Sequence, residues 1–263
     1  MKSHFEGTGF ERNDDISKLQ DFIRRKAESY RAENIPVGND GRIDMEAYSD
    51  IYPELWRDLA KKRRWLLDDE EKIKERLKTD GERLEMLAFA VLTKNLGDEF
   101  IVARTSFYDD QINKVDTLVL ERKTGTLVCA FDEVGDTTGN IFKEKHDGVL
   151  DKNLNYGGAY VKYSLASNIK NNPGKVVLAE SKNLPIFYLA VPPDRIREGI
   201  REFSPDMESP SEYEKQLFSY FMLTIATQIQ GLELYTARLN LYPALKSRLD
   251  SFKETVKARG GKI

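Results

Sequence analysis

Five acidic side chains sit beside apolar runs in one stretch of this chain: Glu82 and Glu85 in GERLEMLAF, Asp116 in NKVDTLVLE, and Asp132 with Glu133 in GTLVCAFDEV. Strands disfavour aspartate, and taking a charge out of water is costly, so such acids need a compensating partner. Side chains alternate along a strand. Val128, Ala130, Asp132 and Val134 therefore share one face, and Cys129, Phe131 and Glu133 the other. A tight turn over 122–125 pairs the two strands antiparallel. Counted from residue 124, Asp116 lies eight residues back and Asp132 eight forward, which makes them cross-strand neighbours. Like charges opposite each other repel, so a positive group is expected between them.

Oxygen donors without histidine or cysteine suit Mg²⁺ or Mn²⁺. The chain has a single cysteine and two histidines. That excludes a disulfide framework and a cysteine-rich zinc site, and it leaves a Ser-His-Asp arrangement unattractive. Cys129, inside an apolar strand, reads as a packing thiol. A hard divalent ion activates water and stabilises charge on a phosphoryl group. The chemistry implied is phosphodiester hydrolysis, with a nearby lysine to orient or deprotonate the water.

The elements that must position these acids follow from periodicity. Helical spacing is expected over 14–33, 52–78 and 82–96, the last ended by Gly97. Strand patterns follow over 99–107, 114–121 and 126–134. A polar loop is expected over 135–151, a helix over 152–169, a strand over 184–191, and helices over 209–238 and 243–258. Residues 1–13 read as a loose leader.

From residue 81 to 191 this order resembles the PD-(D/E)xK nuclease superfamily, whose core is helix, three strands, helix, strand. The likeness rests on Gly81-Glu82-Arg83-Leu84-Glu85 as the helix opening that holds a metal-site glutamate, with Glu85 better spaced than Glu82. It rests also on Val115-Asp116 at the start of the second strand, and on Leu127–Val134 as the apolar strand ending in acid-x-lysine. Tyr160, on the expected second helix, gives a faint further match. The resemblance implies a restriction-endonuclease-like α+β core with a mixed sheet. It implies Asp116, Asp132 and Glu85 as ligands of Mg²⁺ or Mn²⁺, and nucleic acid, DNA ahead of RNA, as substrate. The motif lysine is absent, because Val134 holds its place. Lys143, Lys145 or Lys162 is then expected to supply the amine, and a bulge could turn Glu133 into the site.

The implied organisation is an N-terminal helical extension (1–80), the nuclease-like core (81–195) and C-terminal helices (196–263). At 263 residues, with 40% apolar residues, the chain can bury one large core plus an extension. A net charge of −3 marks no general nucleic-acid coat, although a local basic groove can exist under it. Lys61–Arg64 point around a helix and read as a solvated face. Gly157-Gly158 reads as close packing on the sheet. The aromatic stripe of 209–238 reads as core or a homodimer interface. No apolar run approaches the ~18 residues that span a bilayer, and a cytoplasmic protein is expected. Two other readings stay open: a degenerate nuclease fold that only binds nucleic acid or a protein, and an unrelated α+β domain whose acids decorate its surface.

Overall fold

The structure, a computed structural model, describes residues 13–66, 75–167, 176–236 and 242–259. The expected leader and the middle of the 52–78 helix fall largely outside these residues. Helix α1 (Asn13–Ala32) buries Leu19, Phe22, Ile23, Ala27 and Tyr30, a stripe at helical spacing. The chain then turns back through Val37↔Ile43 and an Arg42↔Arg104 bridge. That bridge sets Arg42 beside the sheet. A 3₁₀ turn (Met45–Tyr48) is capped by Asp44, and α2 (Leu55–Leu66) follows.

Helix α3 (Asp80–Leu96) is the central helix. Thr79 caps it by accepting from the Glu82 N–H, and Gly97 closes it at φ +64°. Residues 84–92 are buried, Glu85 among them. Three strands meander after it: β1 (Phe100–Arg104), β2 (Thr117–Glu121) and β3 (Thr126–Val134). Helix α4 (Gly139–Asn155), a hairpin β4 (Ala159–Ser167)–β5 (Val176–Leu184) and β6 (Ile186–Ala190) complete the core. The main sheet is mixed, in the order β1-β2-β3-β6, with β6 parallel to β3. Helices α5 (Pro193–Arg201), α6 (Glu212–Thr236) and α7 (Pro243–Ala258) end the described chain.

The fold is thus α+β, with the β4–β5 hairpin inserted between α4 and β6. On one sheet face Phe131 and Phe187 meet Phe252 of α7. On the other, Tyr188 meets Phe142 and His146 of α4. A single hydrophobic cluster runs from Leu19 in α1 to Val256 in α7, so the three sequence segments share one core.

Two expectations are corrected. The polar loop of 135–151 is mostly α4, whose few apolar residues leave a weak helical pattern. The helix expected over 152–169 ends at Asn155, because Gly157 and Gly158 take φ of +71° and +109°, and the chain re-enters as β4. Strand β5 and helix α5 carry no expectation in the sequence reading. Before β2, a π-helical turn (Asp109–Asn113) occupies the gap between the expected strands, and β2 itself starts at Thr117 rather than at 114.

Candidate metal centre

The β2–β3 ladder ends at Thr117↔Phe131, after a register shift at Val119/Leu120 that leaves Val128 extra on β3. Asp116 and Asp132 lie one residue beyond that last pair. The positive group expected between them is the ammonium of Lys145. It donates to Asp132 Oδ1 and to the Glu133 carbonyl, and lies 3.5 Å from Asp116 Oδ2. Asp116 Oδ2 also accepts from the Glu133 N–H at 2.8 Å, which fastens the start of β2 to the end of β3. Lys145 reaches the acids because α4 packs on the Asp132 face of the sheet. Burial alone would lower its pKa, yet Asp116 and Asp132 raise it above the usual lysine value.

Glu85 enters from α3. One carboxylate oxygen each from Glu85, Asp110 and Asp116 lie within 4.8 Å of one another, and all three residues are buried. This triad could hold a metal ion. It differs from the expected set: Asp110, from the π-helical turn, stands where Asp132 is expected, and Asp132 is taken by Lys145. The Asp109-Asp110 doublet is the sequence signal for it; it falls between the expected strands 99–107 and 114–121, in a segment that carries no expectation.

The remaining expected residues divide clearly. Glu82 does not join the triad. It accepts from Arg104, from Arg76 Nε at 2.6 Å and from Arg42 Nη2 at 3.3 Å. Burial opposes its ionisation, but these three arginines hold its pKa well below the usual range. Lys143 is exposed; two residues from Lys145 on a helix is about 200° of rotation, so one helix face cannot present both. Lys162 is drawn away to Asp58 at 2.6 Å, over the rings of Tyr52, Tyr108 and Tyr163. Tyr160 lies on β4, not on a helix, and donates to Glu180 at 3.0 Å.

Glu133 is 2% exposed, and neither carboxylate oxygen has a well-formed hydrogen-bond partner, although Thr117 and Asp116 lie beside it. Burial first, then the charge of Glu85, pushes its pKa up to about 7. The same causes raise Asp116 well above the usual carboxylate range, against the pull of Lys145. The charge balance adds to both shifts. Glu82, Glu85, Asp110, Asp116, Asp132 and Glu133 face Arg42, Arg76, Arg104 and Lys145, which leaves two negative charges uncompensated. One divalent cation would balance them, and the donors are all oxygen, as Mg²⁺, Mn²⁺ or Ca²⁺ require. The buried, unsatisfied Glu133 carboxylate asks for the same partner.

Arginines are what the sequence reading misses. Arg42 bonds Glu85 Oε2 at 2.6 Å and Arg104 bonds the same oxygen at 2.7 Å, both buried. Nothing in their sequence neighbourhoods marks them, since their meeting depends on the Arg42↔Arg104 bridge. Beside this cluster a cleft of ≈ 690 Å³ opens, lined by Arg42, Arg76, Glu82, Glu85 and Asp110 among others. No family model, curated protein or solved structure matches this chain. No helix among the described residues is long and apolar enough to cross a membrane.

Proposed function

We propose that this chain is a metal-dependent nuclease of the PD-(D/E)xK type, which hydrolyses phosphodiester bonds of nucleic acid, DNA ahead of RNA. The observation that carries this reading is Lys145. It delivers an ammonium from α4 to Asp116 and Asp132, where the resemblance wants the lysine that Val134 cannot be. The order of elements around it and the parallel pairing of β6 with β3 support the restriction-endonuclease-like core.

Glu85, Asp110 and Asp116 would hold Mg²⁺ or Mn²⁺, with Glu133 behind them. Such an ion offsets the charge that builds on phosphoryl oxygens during hydrolysis. Lys145 Nζ would orient the attacking water with the N–H that now makes only the long 3.5 Å contact to Asp116, and Glu133 would accept its proton. Glu133 suits that task, since a base works best with a pKa near the working pH and its own lies at about 7.

One observation favours the degenerate alternative. Arg42, Arg76 and Arg104 already satisfy Glu82, Glu85 and Asp110, as a retired site closed by internal ion pairs would. Calorimetric titration with Mn²⁺, then cleavage of plasmid and single-stranded DNA, decides between them. Asp116→Ala should abolish cleavage. Lys145→Ala should reduce it by about 100-fold or more, the usual worth of a positioned acid-base group, while Mn²⁺ still binds. Lys143→Ala should stay within about twofold of wild type, because an exposed side chain off the site contributes no such term. Mn²⁺ binding without cleavage on any substrate supports the binding-only reading. Cleavage that survives Asp116→Ala removes the mechanism.

A further inference from the structure

Arg42 and Arg76 have no role in the reaction as proposed, yet both stand on the wall of the cleft. We infer that they are the phosphate-binding pair for the nucleic-acid backbone, and that a divalent ion switches them on. This rests on the metal-dependent reading above.

The geometry is one of shared acceptors. Arg42 Nη2 donates to Glu85 Oε2 at 2.6 Å, and its Nη1 lies 3.0 Å from Asp110 Oδ2 but off the line of a hydrogen bond. Arg76 Nη2 donates to the same Asp110 oxygen at 2.8 Å. Glu85 and Asp110 are two of the three triad acids. An ion held by Glu85 and Asp110 competes with the two guanidinium groups for the charge of those carboxylates, and it repels them. Metal entry therefore loosens the hold of Glu85 and Asp110 on Arg42 and Arg76, leaves Glu82 as the partner of both, and frees an Nη of each guanidinium fork beside the cleft. Such forks match phosphate oxygens in geometry and charge. Arg76 already lies over the Phe107 ring, 5.1 Å from its centre, which limits where it can turn.

The cleft electrostatics set the order of events. Asp40 and Asp44 join Glu82, Glu85 and Asp110 on its walls, against Lys62 and the two arginines. The carboxylates exceed the cations by two, so the metal-free cleft repels a phosphodiester. A divalent ion cancels that excess. Metal and nucleic acid then bind with positive coupling, and coupling between two ligands is reciprocal. Arg104 differs: it is 1% exposed, lies off the cleft, and remains the counter-ion of Glu82 and Glu85 throughout.

The test pairs two measurements on the full chain. Mn²⁺ affinity is read by calorimetry. Affinity for labelled single-stranded and duplex oligonucleotides is read by fluorescence anisotropy, with and without Ca²⁺. Wild type should bind oligonucleotide about tenfold or more tightly with the ion, within the usual range of coupling. Arg76 is 28% exposed, so Arg76→Gln leaves the core filled. It should bind Mn²⁺ as well as wild type or better, because a competitor is gone. Its ion-dependent gain should shrink to about threefold or less, and its salt slope should fall by about one phosphate contact. Full retention of the ion-dependent gain in Arg76→Gln overturns the inference, and so does loss of Mn²⁺ binding in that variant. A wild type that binds Mn²⁺ but gains no oligonucleotide affinity removes this inference alone. A wild type that binds no Mn²⁺ removes the nuclease reading beneath it.

Discussion

Glu133 and Asp116 make the site's chemistry visible as a dependence on pH. In the metal-free protein both keep their protons to higher pH than they would in an unfolded chain. For Glu133 the window lies between its ordinary value of 4.5 and about 7. Below it, folded and unfolded states are equally protonated. Inside it, the unfolded chain has released a proton that the folded protein still holds, so stability falls as pH rises. Asp116 carries the same trend. Glu82 and Asp110 have lowered values and are ionised in both states through this window, so they leave its slope alone. The melting temperature of metal-free protein should therefore drop from pH 5 to pH 8 through these two groups together with Asp109, which burial also raises, and Glu133→Gln should flatten the drop. A metal needs its carboxylate ligands deprotonated. Added Mn²⁺ should raise the melting temperature more at pH 8 than at pH 5. An equal rise at both pH values would show that these acids are not engaged by the ion.

The elements show which parts of the sequence are legible and why. The helix–meander from Asp80 to Val134 is readable because α3 is one long apolar run between the Thr79 cap and Gly97, and the strands are short apolar runs with glycines at the turn of 122–125 and after β3. The register was readable through Asp116 and Asp132, since the bulge at Val128 restores the alignment that counting from the turn assumes. Helix α4 was not, because its apolar positions are sparse, and so Lys145 appeared as a loop residue rather than as one set on a rigid element. Arg42 and Asp110 were invisible for another reason, since each gains its role only from tertiary contact. The Gly157-Gly158 break is the instructive miss. A Cβ on Gly158 would lie 2.7 Å from the Leu184 backbone N and O, at φ +109°, so this glycine sets the start of the hairpin. Gly158→Ala should cost on the order of 1–3 kcal/mol, or roughly 5 °C in melting temperature for a chain of this size. Gly148→Ala is the control, because its Cβ would meet nothing within 4 Å and the residue is inside α4. It should be neutral or stabilising by up to about 1 kcal/mol. Equal melting temperatures for the two variants would refute the assignment of Gly158 as the break.

At the scale of the whole molecule, the site depends on how α3 is held at its far end. Its first turns carry Glu82 and Glu85, and its last turn carries Lys94, whose side chain is completely buried. Lys94 Nζ donates to Glu214 Oε1 at 2.7 Å and to the Ser204 carbonyl at 2.6 Å, between the rings of Phe22 and Phe203. Glu214 in turn accepts from the Ser211 N–H and caps the start of α6. One ion pair thus joins α1, α3, the segment after α5, and α6. Removing one member leaves the other charged and buried, which costs about 3–5 kcal/mol, whereas replacing both by apolar groups is often nearly neutral. Lys94→Met and Glu214→Leu should each lower the melting temperature by roughly 10 °C, and the double variant should recover most of the loss. Mn²⁺ should still bind each variant at a temperature where it remains folded, because the pair sits at the opposite end of α3 from the triad. A double variant as unstable as the singles would mean that the pair's hydrogen bonds, rather than its charge balance, hold α3 in place.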